Sequence, residues 1–230
     1  MQLNEVKALI TGGVSGLGLA VARKVVAGGG QAVLLDINDE AGAAAEAELG
    51  GAVTYVRTDV TNEEGVTDAV KLAVDHMGMV NAAINCAGII GAGRVLGREA
   101  PMALEFFSKV IQVNLVGSFN VIKAAGAAME SNPPGEDGER GVIISTASVA
   151  ATDGQIGQAA YSASKAGIVG MTLPVAREYA RIGVRVNAVA PGIFWTPMVD
   201  GMPEHIQESL SASIPFPSRL GKPEEYAELV

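Results

Sequence analysis

The sequence predicts an α/β fold, a single domain over residues 1–230 built on a doubly wound parallel sheet. Three observations carry this. Six strand-like apolar runs alternate with amphipathic or Ala-rich segments of helical length, the pattern of a sheet covered on both faces. Apolar residues make up 49% of the 230 and aromatics only 4%, so the core must be mostly Ala, Val, Ile and Leu, as in closely packed parallel strands. A glycine-bearing turn stands between the first run and the first helical segment.

The predicted strands are "VKALI" (6–10), "QAVLLD" (31–36), "AVTYV" (52–56), "VNAAIN" (80–85), "GVIIST" (141–146) and "VRVNAVAP" (184–191). Helices are expected near 17–28, 39–49, 62–77, 101–129 and 158–181, the last bent at Pro174, which lacks a backbone donor. The stretch "SNPPGEDGERG" (131–141) reads as a loop. Five prolines fall between 197 and 223, so 192–222 reads as an irregular substrate flap with one short helix near 203–212.

The formal net charge of −9 argues against nucleic acid as a partner, because phosphate binding wants a basic surface. Cys86 is the single cysteine, which excludes an intrachain disulfide and fits a reducing compartment. With His76 and His205 the only histidines, no zinc-type cluster is expected. No apolar run reads as a membrane span. The N-terminus "MQLNEVKALITGG" runs straight into a strand without a signal core or an Arg-rich transit segment. A cytoplasmic location is therefore expected, or the mitochondrial matrix if a transit segment has been removed.

The turn in "ALITGGVSGLGLAVARKVV" carries Gly12, Ser15, Gly16, Leu17 and Gly18. Glycine lets the backbone approach a ligand closely, and the following helix offers free N–H groups and a positive dipole end to a pyrophosphate. Such a turn alone also fits an ordinary tight loop; its place between strand and helix points to a dinucleotide. Asp36 ends the second strand, 18 residues beyond Gly18, where a ribose-binding acid belongs, and it could otherwise cap the next helix. A carboxylate there would accept from both ribose hydroxyls and repel a 2′-phosphate. With Ile37 and Asn38 following, no cation stands ready in the sequence for that phosphate, so NAD is expected over NADP. Asp59 in "RTDVTN" either meets the adenine amino group, with Val60 on the ring, or caps a helix.

Ligands of doubly wound sheets lie at the carboxyl ends of the strands. There "NCAG" places Asn85, Ala87 and Gly88, small residues that let a cofactor lie against the backbone; Cys86 reads as a small apolar filler. Beyond the fifth strand come Ser145 and Ser148, then Tyr161 and Lys165 in "AAYSASKAG", four apart and so on one helix face. A Tyr-x-x-x-Lys pair alone would be an ordinary solvated face. Here it opens a helix at the nucleotide end of the sheet, with Ser148 13 residues before the Tyr.

The motifs T-G-x-x-x-G-x-G at 11–18, "NCAG", Asn114 in "VNLVGS", Ser148, Tyr161-S-A-S-Lys165 and "PG" at 191–192 stand in one order over nearly the whole chain. In this the sequence resembles the short-chain dehydrogenases/reductases, and the stretches "RGVIISTASVAATDGQIGQAAYSASK" and "PFPSRLGKPEEYAELV" resemble their type II 3-hydroxyacyl-CoA dehydrogenase branch. The resemblance implies a Rossmann-type fold and NAD-linked interconversion of a secondary alcohol and a ketone. Its substrate would be a 3-hydroxyacyl-CoA, with a hydroxysteroid or a 3-oxoacyl thioester as alternatives. A different class, an NAD-binding scaffold without catalysis, stays open. Tyr161 would be the acid/base, its phenolate favoured by the charges of Lys165 and the oxidised nicotinamide; free Tyr has a pKa near 10. Ser148 would hold the substrate oxygen, Lys165 the nicotinamide ribose, and Asn114 a water linking that Lys to solvent. Pro191, Gly192, Ile193 and Thr196 match the segment bordering the nicotinamide. Gln155, Gln158 and Phe194 are candidate substrate contacts, Phe194 alternatively packing the flap. The family fold continues past "PEEYAELV" into a final strand, which is expected to be missing here. Its usual tetramer implies a homotetramer, or a homodimer, through the helices near 101–129 and 158–181.

Overall fold

A computed structural model describes residues 1–201 and 204–230, and leaves the side chains of Met198 and Ile206 undescribed. Six parallel strands form one sheet in the order β3-β2-β1-β4-β5-β6. The strands are β1 (Lys7–Thr11), β2 (Gln31–Asp36), β3 (Val53–Arg57), β4 (Ala82–Asn85), β5 (Gly141–Thr146) and β6 (Val184–Val189). Helices α1 (Gly16–Ala27), α2 (Asp39–Leu49), α3 (Glu63–Met77), α4 (Leu104–Ile111), α5 (Gly117–Glu130) and α6 (Ala159–Tyr179) fall between and beside them. Three short helices follow β6: α7 (Pro197–Asp200), α8 (Glu204–Ala212) and α9 (Pro223–Leu229). The expected flap helix near 203–212 is α8, residue 203 lying outside the described residues.

Side chains alternate across each strand, so the two faces of the sheet collect separate cores. Leu9, Val33, Leu35 and Ile143 pack with α3, α5 and the β6 residues Val184 and Val186. Ala8, Ile10, Ala32, Leu34 and Ile84 pack with α1, α2 and α9. Fully buried leucines such as Leu9, Leu34 and Leu35 each contribute about 2 kcal/mol by burial. Helix starts follow the local chemistry: Asn38 caps α2 by accepting from Ala41 N, and Asn62 caps α3 by accepting from Gly65 N.

Two expectations are amended. The helix predicted over 101–129 is α4 and α5 joined through a π-helical turn, Gln112–Val116, with Asn114 at its middle. Over its full length, Leu104–Glu130, this rod is long and apolar enough to cross a membrane, contrary to the sequence reading; half of its most apolar window is buried within the fold, which suits a core helix. Pro174 lies inside α6, which continues to Tyr179, so the rod that carries Tyr161 and Lys165 is unbroken, as expected of its reactive end.

The sheet order reverses between β1 and β4, whose register pairs Thr11 with Asn85. A crevice therefore opens at the carboxyl ends of these strands.

Candidate active site

That crevice is a continuous cleft with a cavity volume of about 1370 Å³. Pockets for one small molecule occupy roughly 300–1,000 Å³, so this one has room for a dinucleotide and a substrate together. Its lining runs from the glycine turn, over the ends of β2, β3 and β4, to Tyr161 and the flap. Gly12, Ser15, Gly16, Leu17, Gly18, Asp36, Asp59, Val60, Ala87, Gly88, Ser148, Gln155, Gln158, Tyr161, Lys165, Pro191, Gly192, Ile193, Phe194 and Thr196 all border it.

At the phosphate end the turn is fixed by close backbone packing. Gly12 has φ +61° and a Cβ there would lie 2.8 Å from Ala87 N. A Cβ on Gly18 would lie 2.3 Å from the Gly12 carbonyl oxygen. Helix α1 can begin here only with glycine at both positions. Ser15 precedes α1 with an exposed side chain that caps nothing, so its hydroxyl and the first N–H groups of α1 are available to an anion. Thr11 Oγ1 accepts from Cys86 N at 3.2 Å and Ala87 N at 3.1 Å, holding the β4 end against the turn.

Asp36 Oδ1 accepts from Ile37 N at 2.7 Å and Asn38 N at 3.1 Å, which aims its carboxyl at the cleft end of β2. It does not cap α2; Asn38 does. The expectation that no cation stands nearby is corrected: the parallel register sets Arg57 opposite Asp36. Its guanidinium is engaged, donating to Ile37 O and pairing with Asp39 at 2.8 Å. Asp59 accepts from Thr61 N and Thr61 Oγ1 at 2.9 and 2.8 Å, closing the turn ahead of α3 rather than capping it.

At the reactive end, Ser148 ends the extended segment beyond β5 and its Oγ accepts from Ala150 N at 3.1 Å. Lys165 is 5% exposed. Its Nζ lies 5.7 Å from the Tyr161 ring centroid and donates to the Thr146 carbonyl at 2.6 Å. A Cβ on Gly88 would stand 3.8 Å from this ammonium, so glycine leaves the space beside it open. Burial lowers the Lys165 pKa from 10.5 to about 8. Burial also raises Tyr161 above its ordinary value, against the pull of the Ser148 hydroxyl. Without a cofactor, burial therefore dominates at Tyr161; the expected lowering invokes the charge of the oxidised nicotinamide as well as that of Lys165.

Two expected site residues do not line the cleft. Asn85 is 2% exposed, turned inward at the end of β4, and its Nδ2 donates to Ser145 Oγ at 3.1 Å. Asn85 is the last residue of β4, a strand buried at every position, whereas Ala87 and Gly88 lie beyond the strand where the chain turns along the cleft. Asn114 is fully buried: Oδ1 accepts from Ile89 N at 2.8 Å, and Nδ2 donates to Ile89 O at 2.9 Å and Ser164 Oγ at 3.0 Å. Its side chain thereby locks the segment after β4 to α6, and any water it holds must meet its main-chain carbonyl, which already accepts from Ser118 Oγ. The wider π turn suits such a position.

The Gln158 side chain accepts from Gln155 N at 2.8 Å, so the pair shapes the loop beside the cleft. Phe194 borders the cleft with its ring edge-on to Tyr226, centroids 6.2 Å apart. Sequence reasoning missed Lys109 and Val113, about two turns and one turn before the α5 start, and Ile156, Leu210 and Ile214. The apolar members carry no chemical signal in the sequence; Lys109 could have been found from its place one turn ahead of Asn114.

A parallel sheet with a glycine turn at its switch point, Asp36 at the end of β2 and a Ser, Tyr and Lys cluster beyond β5 is the frame of a nicotinamide-dinucleotide-dependent oxidoreductase. The chain belongs to the short-chain dehydrogenase family, whose model matches residues 6–207. It is 52% identical over 225 residues to 3-hydroxyacyl-CoA dehydrogenase type-2 of Homo sapiens, covering 97% of this chain and 86% of that one. It is 38% identical to the 2-dehydro-3-deoxy-L-rhamnonate dehydrogenase (NAD(+)) of a Sphingomonas strain, covering 97% and 85%. The crystal structure of 3-hydroxyacyl-CoA dehydrogenase type-2 from Mycobacterium avium superposes with a TM-score of 0.92 at 39% identity, covering 96% of this chain and 86% of the other.

Proposed function

We propose that the protein is an NAD-dependent dehydrogenase that interconverts 3-hydroxyacyl-CoA and 3-oxoacyl-CoA, with Tyr161 as acid/base. The observation that carries this is one cleft with the glycine turn and Asp36 at one end and Ser148, Tyr161 and Lys165 at the other. Relatives named for 3-hydroxyacyl-CoA support the substrate class.

The residues fit the cofactor. Gly12, Ser15, Gly16, Leu17 and Gly18 would hold its pyrophosphate, Asp36 the adenosine ribose, and Asp59 and Val60 the adenine. Ala87, Gly88, Pro191, Gly192, Ile193 and Thr196 would border the nicotinamide, and Tyr161 and Lys165 its ribose. When bound, the nicotinamide accepts or returns a hydride. Ser148 holds the substrate oxygen and steadies the charge that develops on it. Tyr161 Oη takes the hydroxyl proton in oxidation and gives it back in reduction. The Ser148 hydroxyl opposes the desolvation that raises Tyr161, and the ammonium of Lys165, 5.7 Å from the ring centroid, would favour the phenolate by its charge. Gln155, Gln158 and Phe194 would contact the substrate.

NAD is favoured over NADP because Asp36 repels a 2′-phosphate and Arg57 is already held by Asp39 and the Ile37 carbonyl. Residues 192–222 act as the substrate flap. Exposed Phe119 on α5 with Val169 and Leu173 on α6 supports assembly as a homodimer or homotetramer through these helices. The single cysteine fits the cytoplasm or the mitochondrial matrix.

The test is a panel of short 3-hydroxyacyl-CoA esters, hydroxysteroids and simple secondary alcohols with NAD and with NADP, followed by absorbance of the reduced cofactor. Turnover of the acyl-CoA esters with NAD is expected. NAD binding without turnover of any alcohol would overturn the catalytic reading.

A further inference from the structure

Tyr226 is the one large polar side chain of α9 driven into the sheet. It is 1% exposed, among the largest wholly buried side chains of the fold, and it sits with Ala8, Ile10 and Ile84 on the α1 face. Packing alone would be served by Phe. Its hydroxyl instead lies 2.7 Å from Thr146 Oγ1. Either hydroxyl can donate in this pair, and both lie against Cys86 Sγ, 3.4 Å from Thr146 Oγ1 and 4.0 Å from Tyr226 Oη. Thr146 is the last residue of β5, and its carbonyl is the acceptor of Lys165 Nζ.

We propose that Tyr226 is a positioning residue for the reaction: from α9 it fixes Thr146, and through the Thr146 carbonyl it sets the position and charge state of Lys165. The same ring meets Phe194 at the base of the flap. That base is closed by Trp195 N donating to Gly221 O and Gly221 N donating to Ile193 O, at 2.8 and 2.9 Å. One side chain thus touches both the flap root and the strand end that carries the Lys acceptor. Residues 80 apart in sequence meet here. The role ascribed to Lys165 is that of the proposed function, and the link to Tyr226 rests on it.

The electrostatics are consistent. Burial keeps the Tyr226 phenol protonated far above neutrality, so its hydrogen bond to Thr146 persists at every working pH. The titratable groups facing Lys165 are Tyr161 on its own helix and Cys86 at the end of β4, whose thiol desolvation pushes up. A firmly held carbonyl favours the ammonium form of Lys165. Losing the Tyr226 hydroxyl loosens that acceptor, lowers the Lys165 pKa, and so weakens the charge that favours the Tyr161 phenolate.

Tyr226→Phe keeps the ring and removes only the hydrogen bond. In protein carrying 13C-labelled lysine, the Lys165 Cε titration, expected near pH 8 in the wild type, should fall by about half a unit or more in the variant. With a substrate from the panel, kcat for oxidation should drop about fivefold with KM nearly unchanged, and the acidic limb of the pH–rate profile should move to higher pH. Thr146→Val cuts the same link from the strand side, and the double variant should be no worse than the poorer single one. An unchanged Lys165 titration and unchanged kcat in a folded Tyr226→Phe protein overturn the proposal, as does full additivity of the two changes. Should Tyr226→Phe not fold, an unchanged Lys165 titration in Thr146→Val overturns it. The NMR readout needs no substrate, so a wrong substrate class cannot be mistaken for a failure of this link.

Discussion

Replacing Lys165 by Met should make the protein more stable near neutral pH while abolishing turnover. The unfolded chain holds this proton up to about pH 10.5, and the folded one releases it near pH 8. Below pH 8 the ammonium is present in both states and the fold bears its whole desolvation cost. A displacement from 10.5 to about 8 corresponds to about 3 kcal/mol. Between those values the unfolded state binds more protons, so wild-type stability rises with pH. Methionine fills the same channel without charge, but leaves the Thr146 carbonyl without its donor, at a cost of about 1–2 kcal/mol. The variant should therefore be about 1–2 kcal/mol more stable than wild type at pH 7, roughly 3–6 °C in Tm. It should lose that advantage across the window between pH 8 and 10.5, and be the less stable protein above it. Urea unfolding of both proteins at pH 7, 9 and 10.5 reads the difference, in which general alkaline effects cancel. A Lys165→Met protein less stable at pH 7, or a stability difference independent of pH, would refute the reasoning.

Tyr161→Phe should lower kcat at least about a hundredfold and leave NADH affinity, measured by fluorescence, within a factor of about two; substantial residual activity would sink the acid/base assignment. Gly18→Ala forces a Cβ to 2.3 Å from the Gly12 carbonyl oxygen, so calorimetry should show at least tenfold weaker cofactor binding and about 1–3 kcal/mol lower stability. Asp36→Asn should narrow the NAD-over-NADP ratio of kcat/KM at least tenfold, because the like-charge repulsion goes while Arg57 stays. A ratio that does not move would place cofactor choice elsewhere.

The strands and most helices are legible in the sequence because each is a short apolar run or an Ala-rich stretch that needs no distant contact to be recognised. The chemistry of the cleft is legible for a related reason: Gly12, Gly18, Asp36, Ser148, Tyr161 and Lys165 are residue types that the task demands at fixed local spacings. Asn85 shows where this fails. It belongs to the same four-residue motif as Ala87 and Gly88, yet it is the last residue of the buried strand and bonds to Ser145, while they lie past the strand end. Arg57 beside Asp36 could not be read either, since only the β2–β3 register places it there. The π turn around Asn114 needs Ile89 and Ser164 as partners, and Tyr226 needs Thr146 and Cys86; no local pattern announces such meetings. At Tyr161, spacing reveals the neighbouring cation but not the desolvation that raises its phenol in the absence of a cofactor.

The strand order has a consequence for how the chain is made. The nucleotide shelf needs only β1, β2 and β3 with their helices, a contiguous stretch that leaves a ribosome first and closes by short loops. β1 must then keep one side unpaired until β4 arrives more than 70 residues later to pair Ala8 with Ala82. Until then its apolar edge, Ala8 to Ile10, is open to any passing strand. The hazard of synthesis therefore centres on the middle of the finished sheet, and a cofactor that gripped the early half would be guarding the place where the second half has yet to dock.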